Sequence, residues 1–205
     1  MENIGVQKTN AAGERAKMKA LDHDLEKLSR LLTEMNSVGN RISEITNRPA
    51  TIGHTGEYIA SRVFDIELES SAAAKGYDGV FMSGRLAGST VNIKWYDKLE
   101  FMLDINPEAV PDYFLVMTGP KSESQASRGS IRPWVINFVF LFNGPELLAD
   151  LKAQGVKIGT ATSVQKHTWQ AAEIFPNQRN MSFRLTDEQM EMIFQFGSGW
   201  TESWY

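Results

Sequence analysis

The chain of 205 residues contains no cysteine, which excludes disulfide scaffolds and thiolate metal sites and fits a reducing compartment. Its three histidines, His23, His54 and His167, are too scattered to form a spaced metal-binding motif. No apolar run approaches the ~20 residues of a membrane span, and the first residues lack an apolar signal core. A soluble, cytoplasmic protein with no membrane partner is therefore expected. The formal charge of −4 excludes a broad positive footprint for nucleic acid, but not a local one, since a site that takes up cations is itself acidic. There is no internal repeat, and Gly53-His54-Thr55-Gly56 lacks the lysine that a phosphate-binding loop requires.

What is present is apolar and aromatic. Hydrophobic residues make up 42% of the chain, with five Trp and eleven Phe, enough for one domain with a sizeable core plus an appendage. From Ala16 onward Met18, Leu21, Leu25, Leu28, Leu32 and Met35 recur at threes and fours, a helical pattern. Val38, Ile42 and Ile45 continue it after an expected break at 37–39. The spacing is heptad-like but runs for fewer than about three clean heptads, short of a coiled coil; it predicts an N-terminal helical arm over 1–49, ended by Asn47 and Pro49, with residues 1–13 frayed. Two readings stand: helices laid across the following domain, or contact with a protein partner or a homodimer through residues 16–46.

The stretch 53–94 is the most informative. It reads as a short helix carrying Glu57, capped at Thr55, then a strand opening at Asp78, then a strand over 89–96. In the last, Val91, Ile93 and Trp95 alternate with Asn92, Lys94 and Tyr96, so one face is apolar and the other presents an amide beside an ammonium group. Gly76 and Gly79 let the backbone bend around Asp78. A hairpin closing through 83–89 brings Asp78 to the Asn92/Lys94 face, where a carboxylate, an amide oxygen and a lysine can hold a hard divalent cation and polarise a phosphate. Each residue also has a plain structural reading: Glu57 favoured by the helix dipole, Asp78 a turn residue, Lys94 a solvated charge.

A helix with Glu, then Asp, then an acid or amide two residues before Lys on the next strand resembles the restriction-endonuclease-like PD-(D/E)xK superfamily. The resemblance implies Asp78 and Asn92 as ligands of Mg²⁺ or Mn²⁺, Glu57 as the helix-borne acid that assists at the metal, and Lys94 as the residue that positions the attacking water. It departs at Asn92, where the superfamily has Glu, Asp or Gln; Asn keeps the carbonyl oxygen but carries no charge. Thr118-Gly119-Pro120, Arg132-Pro133-Trp134 and Ala172-Glu173-Ile174-Phe175-Pro176 are similar to segments of uncharacterised bacterial members, extending the resemblance over 51–176. It implies a metal-dependent nuclease without naming the substrate; the expected reaction is hydrolysis of DNA phosphodiester bonds in a restriction or anti-phage system. The alternative is a non-catalytic module that assembles a complex through the helical arm and the aromatic tail at 200–205.

The rest of the chain completes an α/β domain over 50–205. Residues 113–117 and 134–142 are apolar runs that read as central strands, with Trp134 in the core. With the hairpin they predict a mixed central sheet flanked by helices. Between them, 121–132 is rich in Ser and Gly; it reads either as a plain connection or as a loop whose Lys121, Arg128 and Arg132 contact phosphates. Further expectations are a helix from Pro145 to about Gly155, a short strand within 156–161, a helix over 163–174 whose Lys166 and His167 either lie near the site or are surface or packing residues, and a last helix opened by a capping box from Thr186 to Gln189.

Overall fold

The computed structural model describes the backbone of residues 5–70, 76–121 and 133–197. The chain divides into two compact units, Met1–Ala50 and Thr51–Tyr205.

The first unit is a single helix, α1 (Gly5–Thr46). Of the segment expected to fray, residues 5–13 are helical and residues 1–4 lie outside the described residues; the expected break at 37–39 is not found. Helix runs through both segments, because one interior glycine costs only about 1 kcal/mol against a ladder intact on either side. The helix ends where Asn47 adopts a left-handed φ of 54° and the Thr46 hydroxyl donates to the carbonyls of Ile42 and Arg48.

In the second unit, α2 (Ile52–Phe64) starts at Thr51, whose side chain accepts from the His54 N–H at 3.2 Å. The cap is thus Thr51 and not Thr55, which puts Glu57 beyond the first turn, where the helix dipole has faded. The chain then forms β1 (Ile66–Leu68), β2 (Gly79–Phe81), β3 (Thr90–Tyr96), β4 (Met102–Leu103), β5 (Tyr113–Thr118) and β6 (Phe138–Asn143). It closes with α3 (Gly144–Ala153), β7 (Thr162–Ser163), α4 (Lys166–Ala172), β8 (Glu173–Phe175) and α5 (Asp187–Phe194). Six of these strands form one mixed sheet in the order β1-β2-β3-β5-β6-β8, and β4 pairs with β7 separately. The pair β3–β5 is parallel and its neighbours are antiparallel.

Alternation along β3 and β5 divides the core. Val91, Ile93, Trp95, Leu115 and Met117 face Ile59, Val63 and Phe64 of α2 and Ile193 of α5. Gly56 permits the close approach of α2, since a Cβ there would stand 3.0 Å from Trp95 Cβ. The expected capping box of α5 is present, and Gln189 also donates from Nε2 to the Val63 carbonyl, tying α5 to α2. On the other face Phe114, Val116, Phe140 and Phe142 pack under Leu147, Leu151 and Trp169.

Three boundaries differ from expectation. The strand begins at Phe138 rather than Trp134, since β5 ends at Thr118, opposite Phe138, and the Ile136 N–H turns instead to the Phe196 carbonyl; Trp134 is 44% exposed, tilted against Trp95, and not core. Residues 156–161 are not a strand; the strand of this region is β7, which has β4 to pair with. The helix over 163–174 stops at Ala172, and Glu173–Phe175 joins the sheet beside β6, where its backbone finds partners. Among the described residues, no helix is long and apolar enough to cross a membrane.

Candidate active site

The register Gly79↔Val91 and Val80↔Thr90 sets Asp78 directly across from Asn92, and the Asp78 N–H donates to the Val91 carbonyl at 2.8 Å. Cross-strand neighbours of this kind share one face of the sheet. Asp78 is held from several sides: its Oδ2 accepts the Ile93 N–H at 2.6 Å, and its carbonyl accepts from Glu69 N–H at 2.9 Å. The flanking glycines are needed for space. At Gly76, with φ of +81°, a Cβ would lie 2.4 Å from Ala109 Cβ, and at Gly79 it would lie 2.5 Å from the Glu67 carbonyl oxygen.

Asn92 donates from Nδ2 to the Gly76 carbonyl at 3.4 Å, while its Oδ1 is buried with no hydrogen-bond partner among the described residues. A buried acceptor left in this state costs about 1–3 kcal/mol unless something else satisfies it. Lys94 follows on the same face, half-buried and in no ion pair among the described residues. Next along is Tyr96, whose hydroxyl accepts from the Asp104 N–H at 3.1 Å and donates to its carboxylate at 3.4 Å. Burial, and then the Asp104 charge, push the Tyr96 phenol up to about 12, so it stays a neutral hydroxyl at the end of this strip. Nothing in the sequence reading pointed to Asp104; it belongs to a segment without periodicity, and only the fold brings it to β3.

The structure therefore joins Asp78, Asn92 and Lys94 in one polar strip. Glu57 is half-buried on α2, the helix that packs on the Val91/Ile93/Trp95 face. Lys121 is exposed beyond the far end of β5, past the Tyr96↔Thr118 pair, on the order of 13 Å or more from Asn92 along the strands. Arg128, Arg132 and the tail at 200–205 lie outside the described residues. Lys166 and His167 are exposed on α4, which covers β6 rather than β3.

No protein-family model and no curated protein matches this chain. The site must be read from its own chemistry.

Among the described residues, no three His, Asp or Glu side chains are grouped to hold a metal. The donor set at Asp78 and Asn92 is one carboxylate and one amide oxygen. That set suits Mg²⁺, which keeps several waters and takes one or two carboxylates along with substrate phosphates. The unsatisfied Oδ1 of Asn92 is a hard oxygen of the kind such an ion binds. Two cavities described elsewhere, of about 370 Å³ by Arg179 and Asn180 and about 500 Å³ by Arg85 and Phe183, are not lined by Asp78, Asn92 or Lys94.

Proposed function

We propose that the chain is a Mg²⁺- or Mn²⁺-dependent nuclease with a restriction-endonuclease-like core that hydrolyses phosphodiester bonds in DNA. The observation that carries this reading is the buried Oδ1 of Asn92, without a hydrogen-bond partner among the described residues, directly across from Asp78, with Lys94 next on the same face. The order of elements supports it: a helix, a meander whose second strand is entered at Asp78, and Asn92-Ile93-Lys94 on the third. Asp78 and Asn92 would hold the cation. The cation supplies positive charge that lowers the pKa of a nearby water and stabilises charge on the phosphoryl group. Lys94 orients that water and neutralises the phosphate; its ammonium, unclaimed by any carboxylate among the described residues, is available for both. Asp78, fixed by the Ile93 N–H, cannot swing away when substrate departs.

The test is cleavage of plasmid and single-stranded DNA with Mg²⁺ or Mn²⁺ by the wild type, Asp78→Ala and Lys94→Ala. Activity in the wild type alone, with each variant down by roughly 10²-fold or more, is expected. Silence from a folded wild type, or equal activity in all three, rejects the assignment. Silence favours the non-catalytic module, for which the exposed apolar side chains of α1 are the supporting observation.

A further inference from the structure

Of the large hydrophobic side chains described as exposed, seven lie on α1, among them Leu25 at 61%, Met35 at 60% and Ile45 at 66%. Because α1 is unbroken through 37–39, their spacing can be followed along one continuous helix. Met18, Leu21, Leu25, Leu28, Leu32 and Met35 step by three and four, and Ile42 continues the same seam beyond Gly39, with Thr46 one step further. A repeat of 3.5 kept over that length drifts by about 20° per heptad around a straight helix, so it stays facing one partner only if two helices supercoil. A helix lying on a globular core has no reason to keep it.

The flanks indicate which partner. On one side of the seam stand Ser29, Asn36 and Ser43, and on the other Leu31, Val38 and Ile45. These are the positions that choose between partners by charge, and from Ser29 to Ile45 none is charged. Nothing there repels an identical helix, and nothing selects a helix of complementary charge. The area is also sufficient. With about half of each side chain in water, the seven offer on the order of 700 Å² per helix, so two copies bury roughly 1,400 Å², inside the ~1,200–2,000 Å² of stable interfaces.

The geometry points to a homodimer in which α1 pairs with α1 of a second copy as a coiled coil. This does not depend on the nuclease reading. It is tested by sedimentation equilibrium of the full chain, comparing the wild type with the double variant Leu28→Lys/Leu32→Lys and the conservative variant Leu32→Ile, which keeps Leu at position 28. The wild type and the isoleucine variant are expected at twice the 23.0 kDa chain mass, and the lysine variant at the chain mass. Near-UV circular dichroism of the aromatic core reports that 51–205 stays folded in all three. A monomeric wild type throughout the micromolar range overturns the proposal, as does a lysine variant that remains dimeric.

Discussion

One side of the sheet changes character at a single strand boundary. β5 and β6 present Phe114, Val116, Phe140 and Phe142 to a closed layer, while β3 beside them presents Asn92, Lys94 and Tyr96. Each region holds a buried polar atom without a hydrogen-bond partner among the described residues: Trp169 Nε1 in the aromatic layer and Asn92 Oδ1 in the polar strip. Their surroundings give them different meanings. Trp169 is wedged between Phe140 and Phe142, at 4.8 and 5.0 Å between ring centroids and nearly perpendicular to both, so the gain from packing a large side chain offsets one unmade bond. Asn92 has no such compensation, and its neighbours are a carboxylate and a cation. An orphaned polar atom points to a ligand only where the chemistry around it is also that of a ligand site.

Truncating each region should separate packing from function. Trp169→Ala should cost about 3–5 kcal/mol by denaturant titration, since it removes the wedge on which Phe140 and Phe142 rest. Lys94→Ala, the site variant, should stay within about 0.5 kcal/mol of wild type in the same titration. A large stability loss at Lys94 would make it part of the framework and remove the contrast.

Tyr96→Phe sharpens the boundary between the two regions. The native phenol ionises near 12 because burial and Asp104 oppose its charge, whereas an unfolded tyrosine ionises near 10. The folded pKa is raised, so the stability it gives is complete below about pH 10 and lost as pH rises toward 12, by roughly 3 kcal/mol in all. Tyr96→Phe should lose about 1 kcal/mol at neutral pH with the Asp104 hydrogen bonds and show a flatter alkaline limb; an unchanged limb would place the phenol in water.

The smallest expected change is at Asn92. Replacing Asn92 with Asp keeps the size and adds a charge opposite Asp78, so Mn²⁺ should raise the melting temperature more in the variant, with affinity tighter by on the order of tenfold. No difference in the Mn²⁺ response would argue against Asn92 as a ligand.

Much of this was legible in the sequence where the signal is local. The alternation over 89–96 is β3 to within a residue, and the glycines around Asp78 turned out to be demanded by close contacts with Ala109 and Glu67. The capping box at Thr186 and Gln189 formed as its residue types dictate. Less legible were features settled by distant partners. Glu173 to Phe175 continues a helical stretch in sequence but becomes a strand because β6 offers a free ladder. Trp134 sits in an apolar run yet is left outside because β5 ends at Thr118, opposite Phe138, and the Ile136 N–H turns instead to Phe196.

The amino-acid order alone thus determined the alternation of β3, the turn at Asp78 and the heptad spacing of α1, since each depends on residues only a few positions apart. Tertiary structure decided which layer each element occupies. It placed Asp78 across from Asn92, carried Asp104 to Tyr96, and packed α2 on the Val91/Ile93/Trp95 face. A strand's pattern says that it has two faces, but what covers each face is fixed only when helices and strands far apart in sequence compete for the same apolar surface.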